Sequence, residues 1–153
     1  MKTSTLAIAA VLGSTATSGL SQPGGPRSSD VWALLDQIQI EEIVTETSYE
    51  VRKSWPDAFA QDLSNMRVTG FAVAMIPGAP GETVQELLLT SDSGICPLCG
   101  SGDHNASLQI VLDTPLEGFV DGQRISIEGT LQRVDDKTTW QSAQMINARV
   151  LDL

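Results

Sequence analysis

The sequence predicts a mainly β protein in which five strands close into a small barrel behind an N-terminal helix. Three observations support this prediction. From Met66 onward, apolar and polar residues alternate with the period of two that is typical of half-buried strands. Turn-forming stretches such as PGAPGE (77–82) and DDKTT (135–139) separate these segments. Two of the strands also contain an internal glycine, Gly70 and Gly129, and glycines allow the strands of a small barrel to bend sharply.

The predicted helix begins at Val31, with Asp30 as its N-cap. The apolar residues that would share one face of this helix are Val31, Leu34, Leu35 and Ile38. Beyond the helix the pattern is less regular. Residues 47–55 predict a short strand that ends at Pro56, and Asp57 can cap a turn of helix after it.

The barrel strands follow from the alternation of apolar residues. They are predicted at residues 66–76, 83–91, 107–113, 124–134 and 140–153. In the first strand, the bulky residues change sides at Gly70, with Met66 and Val68 before it and Phe71 and Val73 after it. A glycine bulge at this position would return both sets to one face. The pattern favours a five-stranded OB-like barrel, and a small β-sandwich is the alternative.

The N-terminus has the pattern of a secretory signal peptide. Lys2 forms a charged region, residues 6–12 form a short apolar region, and small residues follow. We expect cleavage between Ser18 and Gln22, a periplasmic or secreted protein, and no membrane insertion after cleavage. The predicted organisation is a signal peptide at 1–21, a linker at 22–29 and one OB-like domain with an N-terminal helical extension at 30–153.

The charge of the chain argues against nucleic-acid binding. The sequence has 9 Lys and Arg residues against 19 Asp and Glu residues, which gives a net charge of -10. Such a protein repels phosphate backbones and anionic lipid surfaces. We therefore expect Trp32, Trp55 and Trp140 to pack in or over the core rather than to stack on bases.

One short stretch, GICPLCGSGDH (94–104), contains both cysteines of the chain and its only histidine. Cys-Pro-x-Cys-Gly is a turn that aims two thiolates at one ion. Cys96, Cys99 and His104 would be three ligands of a zinc site in the reduced protein. Asp103 or a water molecule would be the fourth ligand.

Two other interpretations of this stretch stay open. In an oxidising compartment, Cys96 and Cys99 can form an inert disulfide that pins the loop. Alternatively, the pair can be redox-active, with Cys96 as the attacking thiol. The following residues, GSGDHN (100–105), break helices, and a redox-active pair of this kind usually begins a helix. The zinc site and the disulfide are therefore favoured equally, and redox activity less.

The order of the motifs resembles an uncharacterised family of exported bacterial proteins with an OB-like barrel. The motifs are Trp-x-x-Leu at 32–35, RVTGFAVAM at 67–75, VQELLLT at 84–90, CPLCG at 96–100 and ISIEGTLQ at 125–132. The resemblance covers residues 30–153. It implies a role beside a membrane transporter or another exported protein, or in metal handling.

These observations predict an exported, non-enzymatic binding or accessory module that acts through its Cys-Pro-Leu-Cys-Gly loop. The alternatives are a thiol–disulfide redox protein and a structural or partner-binding domain with an inert disulfide.

Overall fold

The computed structural model describes residues 28–75, 83–96 and 106–152. Its elements are helix α1 (Ser28–Leu35), strands β1 (Gln39–Val44) and β2 (Tyr49–Ser54), a short 3-10 helix (Asp57–Ala60), and strands β3 (Leu63–Ala74), β4 (Val84–Thr90), β5 (Ser107–Leu116), β6 (Arg124–Arg133) and β7 (Ala143–Asp152). Helix α1 begins three residues before the predicted start at Val31. Within the described ranges, no helix is both long enough and apolar enough to cross a membrane.

Strands β3 to β7 form a closed barrel in the order β3-β4-β5-β7-β6, and β6 pairs back with β3. All neighbouring strands are antiparallel except β5 and β7, which are parallel. Strands β1 and β2 form a separate antiparallel hairpin before the barrel. The predicted mainly β class and the five-stranded OB-like barrel are therefore confirmed, and the sandwich alternative is wrong.

The inward-facing side chains of each strand fill the interior of the barrel. On β5 and β6, the predicted inward residues are buried, and they are Leu108, Ile110, Leu112, Ile125, Ile127 and Leu131. Helix α1 adds Val31 and Leu35 to this core. The indole Nε1 of Trp32 also donates a hydrogen bond to the carbonyl oxygen of Thr69 on β3, at 3.0 Å. The helix is thus fixed to the barrel by apolar packing and by one directed bond.

The predicted bulge at Gly70 is wrong. Pairing between β3 and β6 is regular through this position, and the irregularity lies between Leu63 and Met66, where Asn65 has a φ of 57°. Gly70 lies on the same inward face of β3 as the buried Met66. Phe71, the next residue, therefore lies half-buried on the outer face. The bulky residues therefore change faces at Gly70, as the sequence pattern shows, and no bulge returns them to one face.

Close approach of neighbouring strands explains why Gly70 and Gly129 are glycines. A Cβ atom on Gly70 would overlap the carbonyl oxygen of Thr90 and come within 2.8 Å of Leu89 Cγ. A Cβ atom on Gly129 would lie 2.8 Å from the carbonyl oxygen of Ile146. Both distances are shorter than van der Waals contact. The barrel can close at these two points only because neither residue has a side chain.

A row of charged residues crosses the outer wall of the barrel. Glu128 on β6 stands between Arg67 on β3 and Arg149 on β7. Arg67 Nε donates to one carboxylate oxygen of Glu128 at 2.5 Å, and Arg149 Nη2 donates to the other. These two bonds hold the pKa of Glu128 below its ordinary value, and the bond from Arg67 has the larger effect. One carboxylate thus ties three strands together.

We predict that Gly70→Ala destabilises the barrel. The added methyl group meets a backbone carbonyl that cannot rotate away, so strands β3 and β4 must move apart. Overpacking of this kind costs about 1–3 kcal/mol of the free energy of unfolding, which urea denaturation followed by tryptophan fluorescence would measure. Gly94→Ala is the matched control, because its Cβ would approach only the side chain of Asp92, at 3.2 Å. Equal stability losses in the two variants would contradict this account of the closure.

Candidate ligand-binding groove

The predicted zinc ligands lie at the edge of the described structure or outside it. Cys96 is exposed and is the last residue described after β4, whereas Cys99 and His104 fall outside the described residues. No cysteine in residues 28–75, 83–96 and 106–152 is a free thiol. Over the same ranges, no group of three or more His, Cys, Asp or Glu side chains could hold a metal ion. The zinc site of Cys96, Cys99 and His104 stays a prediction.

The two ends of the segment that contains the cysteines are held together at the rim of the barrel. The amide of Ser91, just after β4, donates to the carbonyl oxygen of Ala106, just before β5, at 3.0 Å. Asp92 accepts a bond from the amide of Gly94 at 2.7 Å, and Thr90 Oγ1 donates to the carbonyl oxygen of Asp92 at 3.0 Å. The segment therefore leaves the barrel and returns to it at one place.

A second feature, which the sequence did not indicate, is the docking of the β1–β2 hairpin against the loop between β6 and β7. The amide of Val51 donates to the carbonyl oxygen of Lys137 at 2.8 Å. The indole Nε1 of Trp55 donates to the carbonyl oxygen of Ser142, also at 2.8 Å. These bonds join the N-terminal hairpin to a loop more than 80 residues later in the chain.

Lys53 is the centre of this contact. Its ammonium group donates to the carbonyl oxygens of Val134 at 3.0 Å, Asp136 at 2.7 Å and Gln141 at 2.5 Å. An ammonium group has three protons, so all of them are used. Burial lowers the pKa of Lys53, and the charges of Asp136 and Asp135 oppose that shift. We call this set of three hydrogen bonds the Lys53 clamp.

The loop that the clamp holds is also ordered from within. The amide and the hydroxyl of Thr138 donate to one carboxylate oxygen of Asp136, at 2.8 Å and 2.7 Å. These bonds hold the pKa of Asp136 below its ordinary value, and the bond from the amide has the larger effect. The β6–β7 loop thus presents its carbonyl groups to Lys53 in a fixed arrangement.

Between the hairpin and the loop lies a groove of about 500 Å³. Its lining residues are Glu50, Val51, Arg52, Lys53, Trp55, Asp135 and Lys137. The guanidinium of Arg133 lies over the ring of Trp55, 5.7 Å from its centroid, and Arg133 Nε is 3.3 Å from a carboxylate oxygen of Asp135. We call this feature the clamp groove.

The clamp groove has an unusual charge for this chain. Four of the nine basic residues of the sequence line it or border it, namely Arg52, Lys53, Arg133 and Lys137. The acidic residues there are Glu50, Asp135, Asp136 and Glu41, which lies opposite Arg52 in the hairpin. Among the lining residues alone, three are basic and two are acidic, on a protein with a net charge of -10.

The position of the groove agrees with the way OB barrels bind ligands. Such barrels use the loop between their fourth and fifth strands as part of the binding surface. Counted within the barrel, β6 and β7 are the fourth and fifth strands. The hairpin thus builds a wall against a loop that this architecture commonly uses for binding.

The sequence matches no family model, and no curated protein and no solved structure resembles it at a significant level. The resemblance to an exported bacterial family stays a prediction.

We predict that Lys53→Met releases the hairpin from the loop. Hydrogen bonds from a charged group contribute about 1.5–3 kcal/mol each when solvent cannot replace them. Because water can reach part of this site, we expect a total loss of about 1.5–3 kcal/mol in the free energy of unfolding. Faster hydrogen exchange at the Val51 amide should accompany the loss.

Arg52→Met is the control for this experiment. It removes a neighbouring charge from an exposed side chain, so we expect a change within about 0.5 kcal/mol. If Lys53→Met leaves the exchange of the Val51 amide unchanged, the clamp does not hold the hairpin.

Proposed function

We propose that the chain is an exported, non-enzymatic binding module that takes its ligand in the clamp groove. The observation that supports this most directly is the groove itself. Its volume of about 500 Å³ lies within the range of roughly 300–1,000 Å³ that is usual for ligand pockets. Its two walls are joined by the Lys53 clamp, so the cavity exists before a ligand binds.

A binding role fits the way the charged groups of the groove are used. Lys53 holds carbonyl groups, Asp136 is bonded to Thr138, and Arg133 is stacked on Trp55 beside Asp135. These side chains fix the shape of the groove. Shape and charge are the properties that a binding module needs.

The remaining parts of the proposal come from the sequence. The signal peptide at 1–21 favours a periplasmic or secreted protein. A membrane transporter or another exported protein is the proposed partner. Nucleic acid is not a proposed ligand, because a chain with a net charge of -10 repels a long phosphate backbone that extends beyond the groove.

A screen of small organic fragments against the labelled mature protein tests the groove. We expect that bound fragments shift the amide and indole resonances of the seven lining residues, and that Lys53→Met weakens their binding. Single-stranded DNA at physiological salt should cause no such shifts. Trp32→Phe is the control, since Trp32 lies against β3 and does not line the groove. Fragment shifts that cluster elsewhere on the barrel would overturn the assignment of the site.

A second role is proposed for the cysteine segment, on the observation that Cys96 is not a free thiol. The only other cysteine of the chain is Cys99. We propose that the two form a disulfide in the exported protein. Zinc binding by Cys96, Cys99 and His104 is then proposed for the reduced form only, because thiolate ligands require free sulfurs.

Alkylation of the denatured protein, followed by mass spectrometry, tests both parts. Without reductant we expect no alkylated cysteine, and after reduction two. The reduced wild type should then bind zinc at micromolar concentration, and Cys99→Ser should not. His104→Ala should weaken binding less, because water can take the vacated position. Alkylation of both cysteines without reductant would refute the disulfide. Zinc binding by Cys99→Ser would place the metal elsewhere, and a disulfide that equilibrates with glutathione would favour the redox alternative.

A further inference from the structure

We infer that the ligand of the clamp groove is an organic anion with a flat apolar body, whose carboxylate lies between Arg52 and Lys137. This inference rests on the proposed function, because it names the ligand class of that same site.

Glu50 lies between two cations of the groove. One carboxylate oxygen of Glu50 is 3.9 Å from Arg52 Nε and 3.8 Å from Lys137 Nζ. Both distances exceed hydrogen-bond length. The side chains of Arg52, Lys137 and Glu50 are 65%, 76% and 42% exposed. Two cations thus share one weak counter-ion, and their donors can turn towards an incoming carboxylate.

The other two cations of the groove already have protein partners. Lys53 is used by the clamp, and Arg133 lies between Trp55 and Asp135. Arg52 and Lys137 are therefore the groups of this groove that can respond to a ligand. They belong to different elements, since Arg52 is on β2 and Lys137 is in the β6–β7 loop. A carboxylate held by both would bridge the two elements.

Trp55 offers a contact for an apolar part of the ligand. The indole of Trp55 lines the groove and is fixed by its bond to Ser142. An aromatic body can pack against the part of this indole that the Arg133 guanidinium leaves uncovered, without ordering a mobile side chain. A small anion without such a body would leave the Trp55 wall unused.

Three probes with the same ring system test the charge preference. They are 2-naphthoate, the neutral 2-naphthamide and the cationic 2-naphthylmethylammonium. The readout is the Trp55 indole resonance, assigned with Trp55→Phe. We expect naphthoate to bind most tightly and the cation least tightly. We also expect the affinity for naphthoate to fall as salt is added, because exposed charges are screened.

Substitutions in the groove make the test specific. Arg52→Gln and Lys137→Gln should each weaken naphthoate binding by about two- to five-fold, the usual effect of an exposed charge pair. Glu50→Gln should strengthen it by a similar factor, since it removes the competing carboxylate. Arg124→Gln is the matched control. It changes the net charge equally but lies at the opposite end of β6 from Arg133 and does not line the groove, so it should have no effect.

Two outcomes would overturn the inference. If naphthamide or the cation binds at Trp55 as tightly as naphthoate does, the groove binds ligands without preferring an anion, and the proposed function survives. If naphthoate does not shift Trp55 at all, the anion is wrong, and the fragment screen then decides separately whether the groove binds any ligand.

Discussion

Closure of the barrel depends on two points where the backbones of neighbouring strands come nearly into contact. At Gly70, strand β3 lies against the end of β4, and at Gly129, strand β6 lies against β7. A side chain at either position would push the two strands apart. The interior would then be too wide for Leu89 and Met145, which are fully buried at these contacts, to fill it. The width of the barrel interior therefore matches the size of its core side chains only because both positions are glycine.

The closed barrel makes the groove possible, because it fixes the loop between β6 and β7. That loop offers carbonyl groups, and the β1–β2 hairpin offers a single ammonium group that accommodates three of them. Charge concentrates at the junction for a physical reason. Carbonyl groups turned towards one another repel, and a cation relieves that repulsion. The basic character of the groove thus begins as a structural requirement and leaves Arg52 and Lys137 available for a ligand.

Most of the barrel could be predicted from the sequence because each strand shows its pattern within one short segment. The alternation of Leu108, Ile110 and Leu112 is visible without knowledge of any other strand, and these residues are buried as expected. The prediction of a bulge at Gly70 was wrong because the role of this glycine depends on a contact with another strand. The sequence shows that bulky residues change sides there, but the closeness of Thr90 to Gly70 depends on the partner strand.

The clamp groove could not be predicted at all. Its acceptors are backbone carbonyl groups, which every residue has, so no pattern of side chains marks Val134, Asp136 or Gln141 as partners of Lys53. Arg52 and Lys53 are adjacent in the sequence, but Arg133 and Lys137 join them only in the folded chain, so the sequence shows no cluster of basic residues. The clustering of Cys96, Cys99 and His104 was visible from the sequence, and its geometry lies outside the described residues.

The separation of Lys53 from its acceptors, by 81 to 88 residues, has a consequence for how the protein is made. At roughly 5 to 20 residues per second, a ribosome needs about 4 to 18 seconds to extend the chain from Lys53 to Gln141. During that time the hairpin has no loop to dock against, and an isolated two-stranded hairpin is at most marginally stable. The groove is therefore among the last parts of the molecule to form. A nascent chain that has reached residue 137 already contains every side chain that lines the groove, yet it has no groove.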